Sequence, residues 1–198
     1  ALDLPYQSEP GTSILSDRTL TSRRAVRRRG QYRVQSYLNY RTGPLRAWEL
    51  AALKLPRRAN PETQALARRW RNASATPARI VDTALNFFRT NNFSYTLNPP
   101  PLGENSIDDF LFRTRKGYCE HYASAFAYLM RAAGVPARVV AGYLGGELNP
   151  YGGYLIVRQS DAHVWVETWL PGRGWVRIDP TLAVVPQRVA QGLSLIHI

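Results

Sequence analysis

The sequence predicts an α+β fold, with helices in the middle of the chain and antiparallel strands towards its end. Between about residues 60 and 133, apolar side chains recur every three or four positions, which is the period of a buried helix face. From residue 137 onwards the period changes to two, and turn-rich segments separate the alternating runs. Helices followed by antiparallel strands are typical of the α+β class.

Length and composition fit one principal core. A chain of 198 residues that is 44% hydrophobic can bury one core with a small appendage. We predict a basic N-terminal extension over 1–44, partly unstructured with one strand near 31–38, a principal domain over 45–185 and a tail over 186–198. The last five residues are set aside as an added sequence. Because there is no initiator Met, no signal-peptide pattern and no apolar run of about 20 residues, we expect a soluble segment of a longer protein.

Positive charge is concentrated in the first half of the chain. Residues 1–90 contain 17 Lys and Arg against 6 Asp and Glu, whereas residues 91–198 contain 9 against 8. The densest stretch, Arg23–Arg29, could face anionic lipid or nucleic acid, or simply be solvated. No helix-turn-helix, zinc-finger or RNP-type motif accompanies it, so we predict no nucleic-acid partner.

Proline and cap residues mark the scaffold helices. Residues 45–53 form a short helical piece that a proline ends. The run Asn60-Pro61-Glu62 is typical of a helix start, and this helix is predicted to reach about residue 71. A second helix is predicted over 77–89. After a possible strand at 93–97, Ser106 begins a short helix that Lys116-Gly117 interrupts.

The next helix carries the chain's single cysteine. It is predicted from Tyr118 or Cys119 to Ala133, with Gly134 in the position that commonly follows a helix. A solitary cysteine is more often a small buried side chain than a nucleophile. In the first turn of a helix, however, free N–H groups and the helix dipole favour a thiolate and can stabilise an oxyanion.

The strands are predicted to bring two further groups together. Alternating runs at 137–143, 154–158, 162–170 and 175–179 indicate an antiparallel meander. His163 shares one face of its strand with Trp165 and Glu167. If the last hairpin pairs Trp169 with Trp175, His163 becomes the diagonal neighbour of Asp179. A shift of one residue in this register would separate the two.

These positions suggest a catalytic triad. The hypothesis is that Cys119 is a nucleophile, that His163 takes its proton and that Asp179 orients the imidazole. The product of the first half-reaction would be a thioester. No close-spaced ligand pair accompanies these residues, so we predict neither a metal site nor a cofactor.

Four ordered blocks of this sequence resemble the transglutaminase-like superfamily. Together they cover roughly residues 80 to 182, and they are R-K-G-Y-C-E-H-Y-A-S-A-F at 115–126, G-V-P-A-R-V-V-A-G-Y at 134–143, D-A-H-V-W-V-E-T-W at 161–169 and G-W-V-R-I-D-P-T at 174–181.

The resemblance implies a papain-like α+β core, in which the helix that carries the nucleophile packs on an antiparallel sheet. It also implies the roles already given to Cys119, His163 and Asp179. Residues 45–185 would then be a catalytic domain. The likeness is to bacterial inner-membrane members, whose domain lies in the periplasm between transmembrane helices. It implies protein-glutamine γ-glutamyltransfer from a glutamine donor to a primary amine, with cell-envelope components as hypothesised acceptors.

Several residues beside the triad have two interpretations. Tyr118 shapes the site or fills space, Trp165 packs in the core or forms a wall of an acyl groove, and Glu167 is a solvated strand residue or orients the amine. All three are candidate substrate-binding residues. Residues 80–118 contain no Trp, the residue with which animal transglutaminases stabilise the oxyanion, so the second oxyanion donor is unassigned.

Two other functions share the same residues. The site could hydrolyse its thioester as a thiol protease or amidase, because water and amines compete for the same intermediate. The chain could also be a non-enzymatic interaction module, although the presence of all three triad residues argues against this.

Overall fold

The computed structural model describes residues 4–16, 19–25, 27, 33–37, 40–56 and 59–185. The chain divides into two compact units, Ala1–Thr42 and Gly43–Ile198. Within the described ranges, no helix combines the length and apolar character that crossing a bilayer requires.

The described residues of the first unit include four short strands. β1 (Leu4–Ser8) pairs antiparallel with β4 (Val34–Tyr37), and β2 (Thr12–Ile14) pairs antiparallel with β3 (Leu20–Ser22). The sequence indicated only β4, and the three strands before it were not predicted. The runs of three to five residues in β1, β2 and β3 show no clear alternation of apolar and polar side chains. Residues 31, 32 and 38 of the predicted strand, and 26, 28 and 29 of the Arg-rich stretch, lie outside the described residues.

The second unit begins with a 3₁₀ helix over Ala47–Leu53, followed by α1 (Pro61–Ala73) and α2 (Pro77–Thr90). Proline occupies the first turn of both α-helices, which confirms the predicted starts. Thr76 caps α2 by accepting a hydrogen bond from the Arg79 N–H. The buried face of α2 then packs into the core through Ile80, Val81, Ala84 and Phe88.

Two helix starts cap each other across the core. The Asp108 carboxylate accepts hydrogen bonds from the N–H groups of Glu62 (3.0 Å) and Thr63 (2.8 Å) at the start of α1. In return, the side-chain oxygen of Asn60 accepts from the N–H groups of Ile107 (3.0 Å) and Asp108 (3.2 Å) in α3 (Ser106–Asp108). Asp108 and Asn60 are both buried. These bonds therefore satisfy N–H groups at the two helix starts that have no partner within their own helix.

A π-helix over Asp109–Thr114 continues from α3 and leads to the nucleophile-bearing helix. The short strands β5 (Ser94–Tyr95) and β6 (Lys116–Gly117) pair in parallel, and α4 (Cys119–Ala132) begins two residues after β6. One side of α4 is fully buried, as predicted. Gly134 follows it with a φ of 84°, a left-handed conformation that glycine adopts without strain.

The sheet that packs against α4 has three strands. β7 (Ala137–Tyr143) and β11 (Gly174–Ile178) flank β10 (Ala162–Leu170), and both pairings are antiparallel. The predicted meander was wrong in one respect. Tyr154–Ile156 (β9) pairs with Glu147–Asn149 (β8) in a separate hairpin, because the turn-rich segment between them folds back on itself before reaching the sheet.

The lengths of α4 and β7 place the start of one beside the end of the other. The 14 residues of α4 span about 21 Å and the seven of β7 about 23 Å. A tight turn around Gly134 joins them, so the start of α4 and the end of β7 lie at one end of the unit. The antiparallel register puts the start of β10 and the end of β11 at this same end.

Candidate active site

Cys119 is the first residue of α4 and is half-buried. Tyr118 before it is extended, with φ −116° and ψ −176°, so the helix begins at the cysteine itself. The sulfur is therefore next to the backbone N–H groups of the first turn and the positive end of the helix dipole. This position stabilises negative charge both on the sulfur and on an oxygen bound beside it.

His163 and Asp179 meet at the same end of the sheet. The predicted register is confirmed, because Trp169 pairs with Trp175. The His163 Nε2 lies 2.6 Å from Asp179 Oδ2, and both side chains are almost completely buried. The other oxygen, Oδ1, accepts a hydrogen bond of 3.1 Å from the Thr181 N–H, which fixes the carboxylate. The imidazole is thus held in one orientation.

The surroundings of His163 favour its protonated form. Burial lowers the pKa of the imidazole, but the hydrogen bond to Asp179 and the interactions with the Cys119 sulfur outweigh burial and raise the pKa to about 9. Because Asp179 engages Nε2, Nδ1 is the nitrogen left for the thiol. Nδ1 is buried and has no hydrogen-bond partner among the described residues. The arrangement can hold a proton between sulfur and Nδ1.

Trp165 packs beside this pair. The centre of its ring lies 6.4 Å from the centre of the His163 ring, and the two rings are nearly parallel. On the other strand, β11, the Arg177 guanidinium lies 4.0 Å from the centre of the Trp165 ring. A Cβ at Gly142, the register partner of His163, would lie 2.6 Å from the Trp165 ring. The glycine therefore allows the indole to lie flat over β7. This arrangement gives the site an aromatic flank.

The other two candidate substrate-binding residues are engaged by neighbours. The Tyr118 ring packs edge-on against His121 at 4.5 Å, and the His121 Nδ1 accepts the Tyr118 N–H at 3.4 Å. Glu167 is in an ion pair with Arg138, its register partner on β7, at 2.6 Å. The structure thus brings Cys119, His163, Asp179 and Trp165 together and places Glu167 in a cross-strand pair.

Sequence reasoning missed two residues of this site. Arg177 precedes Asp179 by two positions, so strand parity could have placed it on the same face. Gly142 could not have been found in this way, because its contact with Trp165 depends on the pairing of β7 with β10.

A family model described as the transglutaminase-like superfamily matches residues 64–180, and the chain belongs to this superfamily. The predicted papain-like α+β fold is thereby confirmed. A Pseudomonas aeruginosa protein named protein-glutamine gamma-glutamyltransferase is 48% identical over 198 residues, which are 98% of this chain and 29% of that protein. The chain thus spans less than a third of that relative.

Solved structures agree with this assignment. A crystal structure of the periplasmic domain of TgpA from Pseudomonas aeruginosa has a TM-score of 0.94 at 47% identity, covering 98% of this chain and 68% of that one. A Cytophaga hutchinsonii structure, with a TM-score of 0.51 at 24% identity, covers 71% of this chain and 44% of that one and shows the fold alone. Among relatives found by sequence, a Bacillus subtilis protein named YebA is 40% identical over 51% of this chain and 15% of its own length.

Proposed function

We propose that this chain is the catalytic part of a cysteine-dependent protein-glutamine γ-glutamyltransferase. The observation that carries the proposal is the 2.6 Å bond between His163 and Asp179 at the sheet end where α4 presents Cys119. Family membership and the name of the Pseudomonas relative support glutamine as the acyl donor.

The reaction begins with the thiol proton of Cys119 moving to Nδ1 of His163. The sulfur attacks the carboxamide carbon of a glutamine side chain, and the first-turn N–H groups of α4 stabilise the resulting oxyanion. His163 gives its proton to the departing nitrogen, so ammonia leaves and a thioester remains. A primary amine attacks the thioester, transfers a proton to His163 and forms the new amide, which restores the thiol. Asp179 stabilises the imidazolium in both steps.

The relative's periplasmic location supports the same location for this chain, within a longer membrane-anchored protein. Cell-envelope proteins and peptidoglycan peptides are then the available amine acceptors. The proposal that the acceptors are cell-envelope components depends on this location.

The experiment compares two products from one incubation. The protein is mixed with lysine-dimethylated β-casein and a biotinylated alkylamine, and amine incorporation and ammonia release are both measured. Incorporation that disappears in Cys119→Ala is the expected result. Ammonia released without any incorporated amine would indicate a hydrolase, and full activity in Cys119→Ala would exclude the mechanism.

A further inference from the structure

The hairpin formed by β8 and β9 exposes apolar side chains, and it follows the end of β7 that pairs with the start of β10. Leu148 and Leu155 are register partners on one face of this hairpin, and they are 65% and 55% exposed. Tyr151 at its turn is 99% exposed. We call Leu148, Tyr151 and Leu155 the hairpin patch. Clustered apolar side chains in water mark a surface that another molecule covers.

The hairpin grows from the same end of the sheet that carries His163 and Asp179. Tyr143, the last residue of β7, pairs with Ala162, which directly precedes His163. The Leu144 N–H then donates a hydrogen bond to the main-chain carbonyl of Asp161. The two segments that lead into and out of the hairpin therefore leave the sheet at this point. The four peptide steps from Tyr143 to Glu147 span at most about 14 Å. A few residues of an extended donor cover the same length.

Charge indicates what kind of partner fits. The hairpin and its second arm contain one cation and two carboxylates, and the Arg158 guanidinium forms an ion pair with Glu147 at 2.5 Å. The Asp161 carboxylate accepts the Arg158 N–H at 2.8 Å. The patch thus offers apolar contact beside a segment with one net negative charge, which suits an apolar polypeptide segment better than a nucleic acid or an anionic lipid surface.

We propose that the hairpin patch binds the polypeptide segment that flanks the reactive glutamine of the acyl donor. This inference rests on the proposed function. It predicts that a donor long enough to reach the patch is used far better than a minimal one, because only the longer donor gains the apolar contacts.

The test compares two donors in the intact chain. Lysine-dimethylated β-casein can reach the patch, whereas carbobenzoxy-glutaminyl-glycine cannot. We expect the double variant Leu148→Ser/Leu155→Ser to lose at least about tenfold in kcat/KM with casein and to keep the wild-type rate with the dipeptide. Leu50→Ser is the matched control, because Leu50 is 51% exposed and lies in the 3₁₀ helix that contacts Trp175 at the opposite end of the sheet.

Other outcomes overturn the proposal. Equal losses with both donors would assign the hairpin a structural role, and unchanged casein kinetics would show that the patch is not used. A dimer that the double variant converts to monomer, with unchanged casein kinetics, would make the patch a contact between copies.

A binding measurement separates this proposal from the proposed function. Fluorescein-labelled casein is titrated into Cys119→Ala with and without the two leucine substitutions. Weaker binding on substitution supports the hairpin proposal even if the wild type transfers no amine, and equal binding contradicts it. Absence of both transfer and ammonia release in the wild type would contradict only the proposed function.

Discussion

The bond between His163 and Asp179 makes Asp179 the most informative position for substitution. Asp179→Asn keeps the size of the side chain but removes the charge that holds the imidazolium. We expect kcat to fall by about two to four orders of magnitude, as for other triads that lose this carboxylate. Single-turnover amine incorporation measures the effect. Circular dichroism verifies that the variant is folded, and a loss below about tenfold would contradict the orienting role.

Stability should depend on pH through the same pair. The pKa of His163 is raised from 6.5 to about 9, so the folded state binds this proton more tightly than the unfolded chain does. Its contribution, up to roughly 3 kcal/mol, is fully present below about pH 6.5 and is lost as pH rises through about 9. Urea unfolding between about pH 6 and pH 10 measures it. The loss should shrink in Asp179→Asn, and an equal loss in both proteins would refute the assignment.

Strand parity was enough to predict that His163 and Asp179 meet, because a period of two and one register decide it. The same reasoning could not decide whether Glu167 is a solvated strand residue or orients the amine. Its partner Arg138 is on β7. No short turn joins β7 to β10, so the sequence could not fix the register of this pair. The reciprocal caps of Asn60 and Asp108 were also out of reach, because they join residues 45 to 48 positions apart.

The mutual capping of α1 and α3 should be a major source of helix stability. Asp108→Ala leaves the Glu62 and Thr63 N–H groups without their acceptor, and the hydroxyl of Thr63 also loses its 2.5 Å bond. We expect a loss of about 2 to 3 kcal/mol in the free energy of unfolding. Urea unfolding measures it. Asp82→Ala, on the exposed face of α2, is the control and should change stability by less than about 0.5 kcal/mol.

The fit of Trp165 against β7 gives a second prediction for this sheet. In Gly142→Ala the new methyl would lie 2.6 Å from the indole, so the ring must move. We expect stability to fall by about 1 to 3 kcal/mol and amine incorporation to fall by at least about tenfold, because His163 is the register partner of this glycine. A folded variant with wild-type kcat would show that the aromatic flank does not influence His163.

For the molecule as a whole, the two units are expected to fold separately. The core cluster of the described residues lies within the second unit, and its residue Gly43 accepts a hydrogen bond from the Trp169 indole at 3.2 Å. A protein that begins at Gly43 should therefore unfold in one cooperative transition and keep kcat towards carbobenzoxy-glutaminyl-glycine. Differential scanning calorimetry and ammonia release measure these properties. An unfolded product would mean that residues 1–42 belong to the same cooperative unit.

The single cysteine also determines how this chain responds to oxidation. Peroxide would convert the Cys119 thiolate to a sulfenic acid, which in many enzymes is protected when a second thiol condenses with it to form a disulfide. This chain contains no second thiol, so that intramolecular rescue cannot occur within it. Recovery of activity must then depend on a reductant supplied from outside the chain, and continued exposure would carry the sulfur on to the irreversible sulfinic acid.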